Sequence, residues 1–293
     1  MRVLIAGCDG LLGQNLVRSA PVGVEIVGLA RHEAPLLPAR LSAYHVRDIA
    51  DPDTWRFVRE VIRPDRILNA AAYTDVDGCE RDPAKSDRVN RDAVRAMAAT
   101  GIPLAQVSTD YVFDGESGPY SEEAATNPLS AYGRSKLESE EATLSVPGNL
   151  VVRTAWVWGP ALSARGGAKK SFTDFVRETL AANKTARIVT DQWSNPTLAA
   201  DLAGAIWALV RGQHSGLYHA SGSDWVSRLE WAKRVATFFG LDAGLIEPIT
   251  TADMNPPARR PLRSGLSGAK LERDTGFRLR GLDAQLAASR AAA

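Results

Sequence analysis

Tyr132 and Lys136 stand four residues apart in the run Ser130-Ala-Tyr-Gly-Arg-Ser-Lys136. On a helix, positions i and i+4 share a face. An ammonium there favours the phenolate form of the tyrosine, which predicts a phenol pKa lowered from about 10 toward neutrality. Such a phenol exchanges a proton with a carbonyl oxygen while a nicotinamide moves hydride. Far upstream, Gly7-Cys-Asp-Gly10-Leu-Leu-Gly13 follows an apolar run and precedes a helical pattern. Glycines in that context permit a tight turn and close backbone approach to a pyrophosphate at a helix N-terminus. Gly7, Gly10, Leu11, Leu12 and Gly13 are therefore the expected dinucleotide contacts; a purely structural turn is the alternative. Between these two features lies Ser108-Thr109-Asp110. The hydroxyls of Ser108 and Thr109 can hydrogen-bond a substrate carbonyl beside Tyr132, although Ser-Thr at a strand end is also a common cap.

The elements that position these groups alternate. Strands are expected at Val3–Ala6, Glu25–Leu29, Arg66–Asn69, Leu104–Val107 and Leu150–Arg153. Helical patterns fall between them at Gly13–Ser19, Pro52–Ile62, Ala84–Thr100 and Ser130–Leu144. That alternation predicts an α/β fold with a Rossmann-type doubly wound parallel sheet, which binds ligands at the carboxyl ends of its strands. Further helices are expected at Phe172–Asn183, Ala199–Arg211 and Leu229–Phe239, one more strand at Gly216–Ala220, and a mobile loop at Gly159–Lys170. The expected division is a dinucleotide-binding domain over residues 1–158 and roughly 198–222. A smaller interleaved substrate-binding region takes roughly 159–197 and 223–293.

The end of the second strand bears on cofactor choice. An acid there would hold the ribose of NAD, whereas an arginine receives the 2′-phosphate of NADP. The chain has Ala30-Arg31-His32, which leans toward NADPH with NADH left open; a solvated loop charge is the alternative for Arg31. Asp48 and Ile49, near the end of a third strand, are candidates for the adenine pocket, or Asp48 is a turn residue before the helix start at Asp51-Pro-Asp53.

The chain has 293 residues, enough for one large or two modest domains. A net charge of +1 offers no electrostatic footprint for nucleic acid or an anionic membrane. Cys8 and Cys79 lie in no metal-ligand spacing, and two thiols suit a reducing cytoplasm. No run reaches the ~20 apolar residues that span a bilayer, and the N-terminus carries no cleavage-site pattern. A soluble cytoplasmic protein without metal is expected.

Taken together, these motifs resemble the dTDP-4-dehydrorhamnose reductases of the extended short-chain dehydrogenase/reductase superfamily. The likeness rests on Asn69-Ala-Ala-Ala-Tyr-Thr-Asp-Val-Asp77, Ser108-Thr-Asp-Tyr-Val-Phe-Asp-Gly115, Pro119–Glu122, Pro128–Lys136, Arg153–Trp156, Asp191-Gln-Trp-Ser-Asn-Pro-Thr197 and Arg260-Pro261, in addition to the glycine turn. The resemblance implies a catalytic set of Thr109, Tyr132 and Lys136, acting with NADPH on the C4 ketone of a nucleotide-linked 6-deoxy-4-keto-hexose. Tyr132 would give the proton, Lys136 would bind the nicotinamide ribose, and Thr109 would orient the carbonyl. It also implies that Ala70, Ala71 and Ala72 flank the cofactor and that Thr74, Val76 and Trp156 shape the sugar pocket. Asp191, Gln192, Arg259, Arg260 and the Lys169-Lys170 pair would hold the nucleotide sugar, with a salt bridge as the alternative for Arg260. Gln14 and Asn15 stand where some members have a metal-binding glutamate at a dimer interface, so no metal-bridged dimer is inferred and a weak homodimer stays open. Another dTDP-4-keto-6-deoxy sugar, for example in the streptose branch, is the first alternative substrate. A non-catalytic dinucleotide-binding subunit, similar to the regulatory subunit of methionine adenosyltransferase, is the alternative from a different class.

Overall fold

The computed structural model describes residues 1–160 and 171–291. Most of the loop expected at Gly159–Lys170, including Lys169 and Lys170, lies outside the described residues. Strands β1 (Arg2–Ala6), β2 (Glu25–Ala30), β3 (Ala43–Val46), β4 (Arg66–Asn69), β5 (Leu104–Thr109) and β6 (Leu150–Thr154) follow in chain order. Strands β7 (Val157–Trp158), β8 (Ala186–Val189), β9 (Trp193–Ser194) and β10 (Thr197–Leu198) stand apart, and β11 (Gly216–His219) rejoins the others. The central sheet is seven-stranded and parallel, in the order β11-β6-β5-β4-β1-β2-β3. The order reverses beside β1, so the carboxyl ends of β1, β4 and β5 face one crevice, where such sheets bind ligands.

Alternation along β1 explains the two layers. Val3 and Ile5 pack with Leu16, Leu202, Ile206 and Trp207 on one face, and Leu4 packs with Leu29, Trp55 and Met97 on the other. Both faces are buried because crossover helices cover both. A third core of Trp158, Val176, Leu180, Ile188, Trp231 and Val235 is built from the segments after β7. Short pairings frame it: β8 with Ile246–Ile249, and β9 with Val226–Ser227.

The helix Ala131–Leu144 carries Tyr132 and Lys136. Ser130 caps it by accepting from the Gly133 amide at 3.2 Å. A second buried link holds the helix down. Glu140, one turn beyond Lys136, takes Arg153 of β6 through Nη2 at 2.6 Å and Nε at 3.0 Å. Both side chains are at most 5% exposed, so neither charge has solvent to fall back on. The pair is continued by Ser108, which donates to Glu140, and by His219, whose Nε2 lies 3.4 Å from Arg153. Replacing Glu140 by Gln leaves the guanidinium buried without its countercharge. The expected cost is about 3–5 kcal/mol of unfolding free energy in urea titration, and a loss below ~1 kcal/mol would show that the pair contributes little.

Candidate active site

At the end of β1 the chain turns through Gly7 with φ +77°. A Cβ there would meet the Ala71 amide nitrogen at 2.8 Å, and one on Gly13 would sit 2.0 Å from the Gly7 carbonyl oxygen. The turn therefore needs glycine at both positions, and it presents the uncapped N-terminus of the helix Leu11–Arg18 beside the Ala70–Ala72 backbone. Asn69 fixes that backbone: its Oδ1 accepts from the Ala71 amide at 3.1 Å, while its Nδ2 donates to Gln106 at 2.7 Å. Arg31 follows β2 and is exposed. Asp48 is exposed and caps the following turn at the Ala50 amide, 2.9 Å away, as its turn reading had it. The Ile49 side chain is 7% exposed and belongs to the second core cluster, which leaves it little surface for an adenine ring.

Tyr132, Lys136 and Thr109 come together. Tyr132 packs edge-on against Tyr111 with centroids 5.6 Å apart, among Cys79, Val76 and Tyr73. Thr109, at the end of β5, has its hydroxyl bonded to Asp110 and to the Tyr111 amide. Here the structure corrects an expectation. Burial pushes the Tyr132 phenol well above the ordinary tyrosine range, with the nearby Thr109 side chain opposing that shift, so Tyr132 is a protonated phenol at neutral pH. Lys136 does not lower it, because the ammonium turns to the strand and donates to the Val107 carbonyl at 2.6 Å. Lys136 is itself brought down to about 8 by burial, with Glu140 opposing that shift.

Other expected contacts are committed elsewhere. Ser108, 3% exposed, donates to Glu140 and not toward the Tyr132 side. Asp191 accepts from the Thr251 amide at 3.0 Å and its hydroxyl at 2.7 Å, and Gln192 donates to the same hydroxyl at 3.0 Å. These two residues fasten the start of the helix Thr251–Met254. Arg260 forms the salt bridge of its alternative reading, at 2.8 Å to Asp77, and donates to the Ala258 carbonyl. Thr74 is exposed, and Val76 is half-buried against Tyr132.

Two residues had no assigned role in the motif reading. Asp110 is 1% exposed and gathers hydroxyls from Thr109, Ser194 and Ser264. Burial raises its pKa, opposed by those hydroxyls and by Arg228. Arg228 opens the helix Arg228–Phe239, with its guanidinium 3.7 Å above Trp156 and 4.8 Å from Phe172. Trp156 has φ +39° and stacks on Trp231 at 5.7 Å. Among the described residues no carboxylate lies within salt-bridge distance of Arg228, and burial brings it down to about 10. An arginine at the start of a predicted helix is a faint sequence signal, since its aromatic partners are distant in the chain.

The strand order, the glycine turn and a tyrosine–lysine pair on the helix packed against β5 define a Rossmann-type protein of the extended dehydrogenase/reductase kind. The family described as "RmlD substrate binding domain" matches residues 1–292. The chain belongs to that family, the dTDP-4-dehydrorhamnose reductases and their relatives. It is similar, at 36% identity, to the probable low-salt glycan biosynthesis reductase Agl14 of Haloferax volcanii, over 100% of this chain and 98% of that protein. It is also 36% identical to the dTDP-4-dehydrorhamnose reductase of Sinorhizobium fredii, over 95% and 93%. The crystal structure of a dTDP-4-dehydrorhamnose reductase from Clostridium acetobutylicum superposes with TM-score 0.85 at 27% identity, over 99% of both chains. No described helix is long and apolar enough to cross a membrane.

The Lys136 environment has a stability consequence. The unfolded chain holds this proton up to about pH 10.5, the folded chain only to about 8. Unfolded molecules bind more protons across that window, so stability from this site rises with pH there, and its cost is greatest below pH 8. Wild type should therefore gain up to about 3 kcal/mol on a Lys136→Met variant between pH 8 and 10.5. Parallel denaturation curves across that range would mean an ordinary lysine.

Proposed function

We propose that this chain reduces the C4 ketone of a nucleotide-linked 6-deoxy-4-keto-hexose with NADPH, most directly dTDP-4-dehydro-L-rhamnose to dTDP-L-rhamnose. The observation that carries it is the protonated, buried Tyr132 phenol beside Thr109 and Lys136 at the strand end facing the glycine turn. Ketone reduction consumes one proton at oxygen, and a phenol held in its neutral form is the right donor for that step.

The turn at Gly7 and Gly13, the helix N-terminus after Gly10 and the Ala70–Ala72 backbone would hold the dinucleotide, and exposed Arg31 would meet its 2′-phosphate. NADPH, when bound, supplies the hydride to C4. Tyr132 gives its proton to the C4 oxygen, so the C=O becomes CH–OH and the phenol becomes phenolate. Lys136 supplies positive charge near that phenolate and a donor for the ribose. Trp156, with Val76, would wall the sugar.

Arg228 is the better anchor for the diphosphate. Arg260 is already neutralised by Asp77, whereas Arg228 sits desolvated on an aromatic face at the start of a helix, where a cation is disfavoured. An anionic ligand would offset both costs, and a guanidinium fork matches phosphate oxygens. The glycan-reductase name of the Haloferax relative supports a second reading, the same chemistry on another nucleotide-linked keto-sugar.

The test is NADPH oxidation by the purified chain with freshly made dTDP-4-keto-rhamnose and a panel of related keto-sugars, with products identified by NMR. Rapid oxidation yielding dTDP-L-rhamnose supports the first reading, and turnover of another keto-sugar alone supports the second. Cofactor binding without turnover of any of them leaves the non-catalytic subunit. Tyr132→Phe should keep NADPH affinity and lose at least about 100-fold in kcat. Arg228→Gln should raise KM for the sugar nucleotide about 10-fold or more while leaving the NADPH KM unchanged; an unchanged sugar-nucleotide KM would move the anchor elsewhere.

A further inference from the structure

Lys136 rests on a carbonyl that the sheet leaves over. The Ile67 amide of β4 donates to the Pro103 carbonyl at 2.9 Å. By the two-residue period of a strand, the Ala105 and Val107 carbonyls face β4 as well. The Ala71 amide would continue that series at Val107. Strand β4 ends at Asn69, however, and the Ala71 amide turns to Asn69 Oδ1 at 3.1 Å. The Val107 carbonyl takes two side-chain donors in its place, Lys136 Nζ at 2.6 Å and Gln106 Nε2 at 2.9 Å.

The orientation of both side-chain amides follows from one backbone group. A backbone N–H only donates, so Asn69 must turn its oxygen to Ala71 and its Nδ2 to Gln106, 2.7 Å away. Gln106 must then present Oε1 to Asn69, which leaves its Nε2 for Val107. Asn69 and Gln106 are 1% and 0% exposed, so solvent does not replace either bond. Gln106 lies in the middle of β5, outside every motif that pointed to the site.

We infer that Gln106 is a positioning residue for Lys136: it shares the Val107 carbonyl with the ammonium and keeps that carbonyl bonded when Lys136 turns to the dinucleotide ribose. An acceptor stranded inside the fold costs more than an ordinary hydrogen bond contributes. With Gln106 in place, Lys136 leaves the strand without stranding Val107. Without Gln106, the carbonyl depends on the ammonium alone, and the lysine is held back. The Asn69 bond keeps the Gln106 amide in the one orientation that can do this.

The inference rests on the reading above in which Lys136 gives a hydrogen bond to the ribose, and the experiment separates the two. NADPH affinity is measured by fluorescence titration in wild type, Gln106→Met, Lys136→Met and the double variant. Gln106→Met should raise the NADPH Kd about 5- to 20-fold. In the Lys136→Met background the same change should move Kd less than about 2-fold, because Val107 is then bonded alike with and without cofactor. The Asn69 Nδ2 loses its partner in both states, so that loss cancels from the comparison. Wild-type affinity in Gln106→Met, as expected if Lys136 reaches the ribose without leaving Val107, overturns the inference. A full effect without Lys136 overturns it too and makes Gln106 merely structural. Should Gln106→Met fail to fold, Gln106→Glu keeps an oxygen for Asn69 and removes only the donor to Val107; at least the same rise in Kd is expected, and wild-type affinity there overturns the inference. A Lys136→Met chain that binds NADPH as tightly as wild type overturns the ribose contact and the inference together. Absence of keto-sugar turnover by wild type overturns the reductase reading alone, since the affinity cycle needs no turnover.

Discussion

The Arg153–Glu140 pair is the constraint around which the site is arranged. It joins the middle of the helix Ala131–Leu144 to β6, while Ser108 ties the same carboxylate to β5. Helical spacing then does the rest: Glu140, Lys136 and Tyr132 repeat every four residues on one face. Once Glu140 is pinned, Lys136 lies against the Val107 carbonyl and Tyr132 against Thr109. A buried ion pair is a weak source of stability, because desolvating two charges cancels much of their attraction. Its value here is positional, since a helix that slid by one turn would leave both charges unmet.

The second region is attached to that arrangement through side-chain hydrogen bonds at the end of β5 and at the helix Val76–Arg81, and the contacts are specific. Ser194 and Ser264 meet at Asp110 and Asp77 receives Arg260, while within the second region Asp191 holds Thr251. Each joins residues far apart in sequence. Trp156, Trp231 and Phe172 form an aromatic stack under Arg228. Thr109, Ser194 and Ser264 are therefore parts of one network centred on Asp110.

Local chemistry made the skeleton legible. Apolar runs, the glycine turn and the Ser130 cap announced β1, β2, β4, β5, β6 and the helix that bears Tyr132, all within a residue or two. Strand β3 at Ala43–Val46 was not delimited, because Ala-Tyr-His-Val is half exposed at a sheet edge and lacks clean alternation. The helical patterns at Pro52–Ile62 and Ala84–Thr100 are real but contain wider π turns at Val58–Ile62 and Asp87–Asp92, which no spacing rule reveals. At the site, residue types were readable and their commitments were not. Ser108, Asp191, Gln192 and Arg260 each look ligand-ready until a distant partner is known. The tyrosine–lysine spacing likewise identified the pair but misjudged its electrostatics, because burial is a property of the assembled fold.

That electrostatic difference bears on the direction of the chemistry. A phenolate beside an ammonium suits a base that accepts a proton from an alcohol. A phenol kept neutral by burial suits an acid that gives a proton to a ketone. In this chain the dominant influence on Tyr132 is desolvation, with Thr109 opposing and Lys136 engaged at the strand. Desolvation disfavours the phenolate that proton transfer must create, so the step needs compensation as it proceeds. On the proposed function, Lys136, one helical turn away and brought down to about 8, would provide it by leaving the Val107 carbonyl. On the proposed function, the pair would work as a resting acid with a latent countercharge, the polarity that reduction of a ketone requires.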